Sequence, residues 1–242
     1  MAVNRFRFMA SNIGGRHVMQ GRDFTSKRIA VVGPAAPLEG THVQLDASQF
    51  DYLIVMNRLL HSKPENVFGA PAIGKVLFHN LEETGERSAG NLSKNALFEE
   101  HVKYVVFPHA TYLGVGGKFY RASNTLSKFG VELKVLPFSF YNELVEDLGG
   151  YAPTTGLAAI AYLLRCPVHS VSISGFTFFQ TGYQKEYNNS LEANTQPWVW
   201  AKHTGLHDPD REVEVARRRV NEARKAGKQV CLDASLQTIL TR

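Results

Sequence analysis

The sequence is poor in cysteine. Cys166 and Cys231 are the only two in 242 residues. That is too few for a disulfide framework, so a small scaffold stapled by bridges is excluded and a reducing, cytoplasmic setting is the expectation. No run of about 18 apolar residues occurs, which leaves no candidate membrane-spanning helix. Residues 1–20 are basic but lack the apolar stretch of a secretory leader. Internal repeats, low-complexity tracts and Pro/Gly-rich linkers are also missing. The chain therefore reads as one domain over residues 28–242, with residues 1–27 as an N-terminal extension. Gly33 is followed by Pro34-Ala35-Ala36-Pro37, not by the glycine spacing of a dinucleotide fingerprint. Basic strands interleaved with aromatic residues are lacking, so nucleic acid is not an expected partner.

Apolar residues make up 44% of the chain and charged ones 20%, the balance of a globular domain with a sizeable core. The net charge is +5, from 27 basic and 22 acidic residues. Much of it lies in Arg217-Arg218-Arg219 and Arg224 to Lys228, inside one predicted helix. The plain reading is a solvated helix face. A second is peripheral contact of helix 212–228 with an anionic membrane surface.

Short apolar runs punctuate the chain. Arg28–Gly33, Tyr52–Met56, Lys75–His79, Tyr104–Phe107, Glu132–Leu136, Val168–Ser174 and Gln229–Leu232 read as strands. Helices are expected over 89–100, 122–129, 140–148, 156–165 and from Pro209 to about Ala226. Thr155 is the expected N-cap of the fourth and Asp208, with Pro209 at the first helical position, caps the last. Apolar positions 213, 216, 220 and 223 give that last helix one stripe. Strands alternating with helices imply an α/β fold with a mostly parallel, Rossmann-like central sheet flanked by helices. Residues 176–206 are long, aromatic and polar without a clear period, which suggests a lid or acceptor-facing loop.

In such a sheet ligands bind beyond the carboxyl ends of the strands. Gly33, Asn57, Asn80 and Gly175 all stand at strand ends. Glycine lets a loop approach a phosphate, and a carboxamide can both donate and accept. Thr154-Thr155-Gly156 opens a helix, where free N–H groups and the dipole favour an anion; simple N-capping is the competing reading. His207 precedes the N-cap of another helix, whose positive end favours a neutral, basic imidazole, while Asp208, Asp210 and Glu212 oppose this. His203 and His207 are four apart with an acidic residue nearby. The intervening Gly205 argues against the helical spacing of a zinc site. Asp208-Pro209-Asp210 matches a D-x-D metal motif, but it opens a helix, where capping is the plainer role. No metal site is therefore expected.

Taken together, these segments resemble the sialyltransferases, both the animal type with its sialylmotifs and the small bacterial lipooligosaccharide type. R-I-A-V-V-G followed by F-D-Y-L-I-V-M-N is similar to the large sialylmotif. P-T-T-G-L, Leu164-Arg165-Cys166 and S-I-S-G-F are similar to the small one. His207 with Glu212 is similar to the very short H-x4-E motif. V-L-F-H-N, S-G-F-T-F-F-Q-T-G, the pair His203 and His207, and Q-V-C-L-D follow the bacterial type in order. The resemblance covers about 200 residues.

The resemblance implies a GT-A-like variant of the fold. It also implies an inverting, metal-independent transfer from a CMP-activated donor to a glycan or glycolipid hydroxyl, with no cofactor beyond the donor. His207 would be the general base. Asn57, Asn80, Thr154, Thr155 and Gly156 would hold phosphate, ribose and sugar carboxylate. Gly175, Phe176 and Thr177 would line the cytosine, Tyr183 or Tyr187 would meet the leaving phosphate, and Gly33 and His203 would be further contacts to the donor. Four residues depart from the pattern. Pro34 replaces an asparagine. Ile29 replaces the cysteine that pairs with the Cys166 equivalent. Ala152 replaces an arginine, and Phe179 replaces a tyrosine. CMP-sialic acid is the expected donor. CMP-Kdo, or a non-catalytic nucleotide- or glycan-binding domain, are the alternatives.

Overall fold

Apolar runs of four to six residues become the strands of a single parallel sheet. The computed structural model describes residues 17–36, 38, 46–62, 74–85, 88–110, 116–184, 187, 198, 201 and 205–242. Its strands are β1 (Arg28–Val32), β2 (Tyr52–Met56), β3 (Gly74–Phe78), β4 (Val102–Phe107), β5 (Glu132–Val135), β6 (Ser170–Ser174) and β7 (Gln229–Leu232). They lie in the order β5-β4-β3-β2-β1-β6-β7, every pair parallel. In β1, β2 and β3 every residue after the first is buried, as expected of strands covered on both faces.

The described helices are α1 (Leu59–Ser62), α2 (Lys94–Glu99), α3 (Gly116–Lys128), α4 (Phe138–Asp147), α5 (Thr155–Arg165), α6 (Pro209–Lys225) and α7 (Ala234–Thr241). One face of the sheet packs Ile29, Val31, Ile54 and Met56 against α5 and α6. The other packs Ala30, Val32, Leu53 and Val55 against α1 and α3. Helix α5 is buried almost all round from Thr155 to Leu164, so its run of Leu, Ala and Ile is apolar on every side.

The order of strands positions the site. From β1 the chain works outward through β2, β3 and β4 to β5, then returns to place β6 on the other side of β1. The reversal opens a crevice at the carboxyl ends of β1 and β6, the usual ligand position in such sheets.

Several sequence expectations are corrected. The helix expected over 89–100 begins only at Lys94, where the Ser93 hydroxyl caps the Ala96 N–H. Helix α3 starts six residues before the expected Ala122, and β6 starts two residues after Val168. The cap of α5 is Thr154, not Thr155; the Thr154 hydroxyl accepts from the Leu157 N–H. A helix not expected from the sequence, α7, follows β7 and is capped by Asp233. Residues 17–27, assigned by sequence to an extension, join the core. Met19 and Phe24 are buried, the Met19 N–H donates to Val135, and the Tyr162 hydroxyl donates to the Met19 carbonyl.

The basic residues of α6 are largely structural. Arg219 bridges Glu143 and Asp147 of α4, and Arg218 also reaches Asp147. Arg217 donates to the Leu240 carbonyl, and Lys228, just beyond the helix, donates to the carbonyls of Leu164 and Cys166. Val213 of the expected stripe is only partly buried; Glu212 and Val215 are buried instead. Among the described residues no helix is long and apolar enough to cross a membrane.

Candidate active site

A cleft of about 320 Å³ opens over the carboxyl ends of the strands. Segments following β1, β2, β3, β4 and β6 line it, together with the start of α5 and residues 206, 207 and 212 around the start of α6. Of the residues singled out from the sequence, Asn57, Asn80, Thr154, Thr155, Gly156, Gly175, Phe176, Thr177, Tyr183, Tyr187 and His207 all face this one cleft. Gly33 does not line it. His203 lies outside the described residues.

Gly33 acts underneath the cleft. A Cβ there would overlap the Gly175 carbonyl oxygen, and one at Gly175 would overlap the Gly33 carbonyl. The two backbones pass in contact because neither carries a side chain. The Phe176 ring fills the remaining space, and a Cβ on Gly156 would stand 2.7 Å from it. Close approach, more than a phosphate loop, accounts for Gly33 and Gly156. The loop after β1 is then joined to residues 175–184. The Ala35 N–H donates to Gly175, Ala36 to Gly182 and Gln184 to the Pro34 carbonyl. The Thr181 hydroxyl donates to Ala36 and meets the Thr177 hydroxyl at 2.8 Å. These bonds hold Phe178 and Phe179 at φ of +48° and +65°, a backbone state that bulky residues adopt only under tight constraint. On the β7 side, the Asp233 carboxylate accepts the Gly175 N–H at 2.7 Å.

Helices α5 and α6 meet at Thr154. Its hydroxyl caps α5, while its N–H and hydroxyl both donate to the Glu212 carboxyl, at 2.6 and 2.8 Å. Glu212 is fully buried, and burial pushes its carboxyl up to about 8 against the pull of the Thr154 bonds. The cap spends the Leu157 N–H. The N–H groups of Thr155 and Gly156 are first-turn donors that a helix cannot satisfy itself, and both residues line the cleft.

His207 is oriented from the same place. Its Nδ1 lies 2.7 Å from the Ala152 carbonyl oxygen, two residues before Thr154. A carbonyl only accepts, so Nδ1 carries the proton and in the neutral ring Nε2 carries the lone pair. Asp208 is turned away into capping, accepting from the N–H groups of Asp210 and Arg211. Ala152, which stands where the resemblance expects an arginine, contributes only backbone here. Its N–H donates to Leu206 and its carbonyl accepts from His207. Among the described residues no group of three or more His, Cys, Asp or Glu side chains is arranged to hold a metal ion.

The asparagines have structural as well as cleft-facing parts. Asn57 sits at φ +46°, a left-handed position that asparagine tolerates, and its side chain accepts the Asn80 N–H. The Asn80 side chain accepts from Glu82. Behind them His79 is buried, Nε2 donating to Gly90 and Nδ1 accepting from Leu81. Burial lowers it to about 4, so it stays neutral. The Tyr187 ring lies 5.0 Å from that of Tyr183. Burial raises both phenols, Tyr183 to about 12. Each remains a hydrogen-bond donor at neutral pH.

The sequence did not mark His109, just past the end of β4. It lines the cleft with its Nδ1 3.2 Å from the Tyr141 hydroxyl and its ring edge-on to Phe107 and Tyr141. Burial, with the charge of His207 second, lowers it to about 4. Glu82 and Lys118 also face the cleft and pair at 2.8 Å.

No protein-family model and no curated protein matches the sequence. Solved structures do match. A mammalian sialyltransferase has a TM-score of 0.54, and a mammalian sialyltransferase in complex with Gal-beta-1-3GalNAc-ortho-nitrophenol one of 0.53. Each is 15% identical, and the matches cover 96% and 95% of this chain and 78% of those chains. The likeness is one of fold: this chain has a sialyltransferase-like α/β domain with an all-parallel sheet.

Proposed function

We propose that the chain is an inverting glycosyltransferase that moves sialic acid from a CMP-activated donor to a glycan hydroxyl, with His207 as the general base. The observation that carries the reading is the meeting of a tautomer-fixed histidine and a helix N-terminus in one cleft of this fold. His207 Nδ1 is tied to Ala152, and two residues on, Thr154 begins the N-terminal turn of α5.

The chemistry follows from that arrangement. The N–H groups of Thr155 and Gly156, at the positive end of α5, suit an anionic donor group. The phenols of Tyr183 and Tyr187 are donors for the departing phosphate, which is consistent with Phe179 lacking the hydroxyl expected there. The Nε2 lone pair of His207 takes the acceptor hydroxyl proton as the oxygen attacks the anomeric carbon. The bond from that carbon to the phosphate oxygen breaks, its electrons leave with CMP, and configuration inverts. The leaving group already carries negative charge, so positioning, a base and hydrogen-bond donors suffice without a metal. Asp208, half of the D-x-D sequence, is committed to its helix cap. An anion site beside neutral donors also suits CMP-Kdo, which has the same carboxylate and cytidine.

A donor screen tests the reading. CMP-sialic acids and CMP-Kdo are offered with crude glycan acceptors in the presence of EDTA. Transfer from a CMP-sialic acid with EDTA present is expected. Transfer from CMP-Kdo alone changes the sugar and keeps the enzyme class. CMP-sugar binding without hydrolysis or transfer favours a non-catalytic domain, and the absence of CMP binding by calorimetry removes both enzyme readings.

A further inference from the structure

The cleft is electrically divided. Its β1/β6 end holds the helix start at Thr154–Gly156, which suits an anion. Its far end, beyond β3 and β4, is built differently. There Glu82 pairs with Lys118, so carboxylate acceptors and ammonium donors stand together with no net charge. His109, whose Nδ1 is bonded to the Tyr141 hydroxyl, leaves its Nε2 for a sugar hydroxyl, and Phe107 adds an apolar wall. Strands β3 and β4 lie two and three places from β1, about 10–15 Å away at ordinary strand spacing. An anion gains no net attraction at this end, because Glu82 cancels Lys118. A neutral polyol is well served: vicinal hydroxyls both donate and accept, and the C–H face of a ring packs on an apolar wall.

We propose that His109, Glu82 and Lys118 form a sugar-hydroxyl subsite at the β3/β4 end of the cleft, distinct from the anion end at α5. This rests on the glycosyltransferase reading. The hydroxyls can belong to the transferred sugar or to the acceptor. The pair is partly exposed, with side chains 44% and 42% accessible for Glu82 and Lys118, and contributes little to stability. Both charged groups stay accessible to a ligand in the cleft.

The test is ligand-observed saturation-transfer NMR on the full chain with CMP saturating. Free N-acetylneuraminic acid and methyl β-galactoside are the two sugar probes. Wild type is compared with Glu82→Gln/Lys118→Met and with His109→Asn, each first checked for an unchanged thermal midpoint. Saturation of one sugar is expected, falling at least tenfold in a folded variant while CMP signals hold. The acidic sugar assigns the subsite to the donor and the galactoside assigns it to the acceptor. Unchanged saturation in every folded variant overturns the proposal, as does no sugar signal beside a clear CMP signal. Loss of CMP and sugar signals together in a variant also overturns it, since the residues then serve the nucleotide. Silence from CMP itself in the wild type removes the glycosyltransferase reading, and this subsite with it.

Discussion

Glu212 accepts both hydrogen bonds that Thr154 can donate, one from its N–H and one from its hydroxyl. A single buried carboxyl thus ties the first turn of α6, just after His207, to the cap of α5, the proposed anion site. Glu212→Ala leaves two donors unpaired and a cavity in a dry place, at a cost of about 3 kcal/mol. Glu212→Gln keeps one acceptor and the volume, and costs about 1–2 kcal/mol. Urea denaturation of the two variants checks this ordering. Equal stability of wild type and Glu212→Ala would mean the link is not made.

The same carboxyl sets one limb of the pH dependence. Its folded pKa, near 8, lies above its ordinary 4.5, so the folded state holds a proton that the unfolded chain has lost. Stability is therefore shed as pH rises toward 8. His79 and His109 work in the opposite sense: folded near 4 against 6.5, they cost stability as pH falls from 6.5 through 4. The optimum is expected near pH 6.5, with a fall of about 2 kcal/mol by pH 8. Glu212→Gln should flatten the alkaline limb and steepen the acid limb between pH 4.5 and 6.5, where the carboxyl opposes the two histidines. Thermal midpoints from pH 4 to 9 measure both limbs.

The cleft floor makes a sharper steric forecast. Gly156→Ala collides with the Phe176 side chain alone, whereas Gly33→Ala collides with that ring and, more closely, with the Gly175 backbone carbonyl. A side chain can be trimmed and a carbonyl cannot. Phe176→Leu should therefore recover more of the roughly 1–3 kcal/mol overpacking cost of Gly156→Ala than of Gly33→Ala, where the overlap with the Gly175 carbonyl remains. Two double-mutant cycles by denaturation compare the couplings, and equal rescue of both would contradict the packing described.

The strands were legible because a parallel sheet buried on both faces needs continuous apolar runs, and Arg28–Val32, Tyr52–Met56 and Gly74–Phe78 have them. The cleft edge was legible for a related reason: glycine and asparagine end those strands where close approach or a left-handed turn is required. Thr154 and Thr155 are equally good caps by composition. Glu212, 57 or more residues later, is bonded to the first, and no local signal carries that. Glu212 itself reads as an ordinary first-turn acid, and its burial comes from packing of α6 on α5. His109 follows a strand like any loop residue, and its place in the cleft depends on the strand order. Helix α7 carries a weak local signal, because Ala234–Thr241 is only eight residues long and its cap, Asp233, directly follows a strand.

The most direct measurement is the effect of His207→Ala on transfer set against its effect on CMP binding. A positioned general base contributes about 10²–10⁴ in rate. His207→Ala should lower kcat by that order while the CMP affinity measured by calorimetry stays within about twofold, because the anion end at Thr155 and Gly156 is untouched. Transfer by His207→Ala at the wild-type rate would contradict the assignment of His207 as the base.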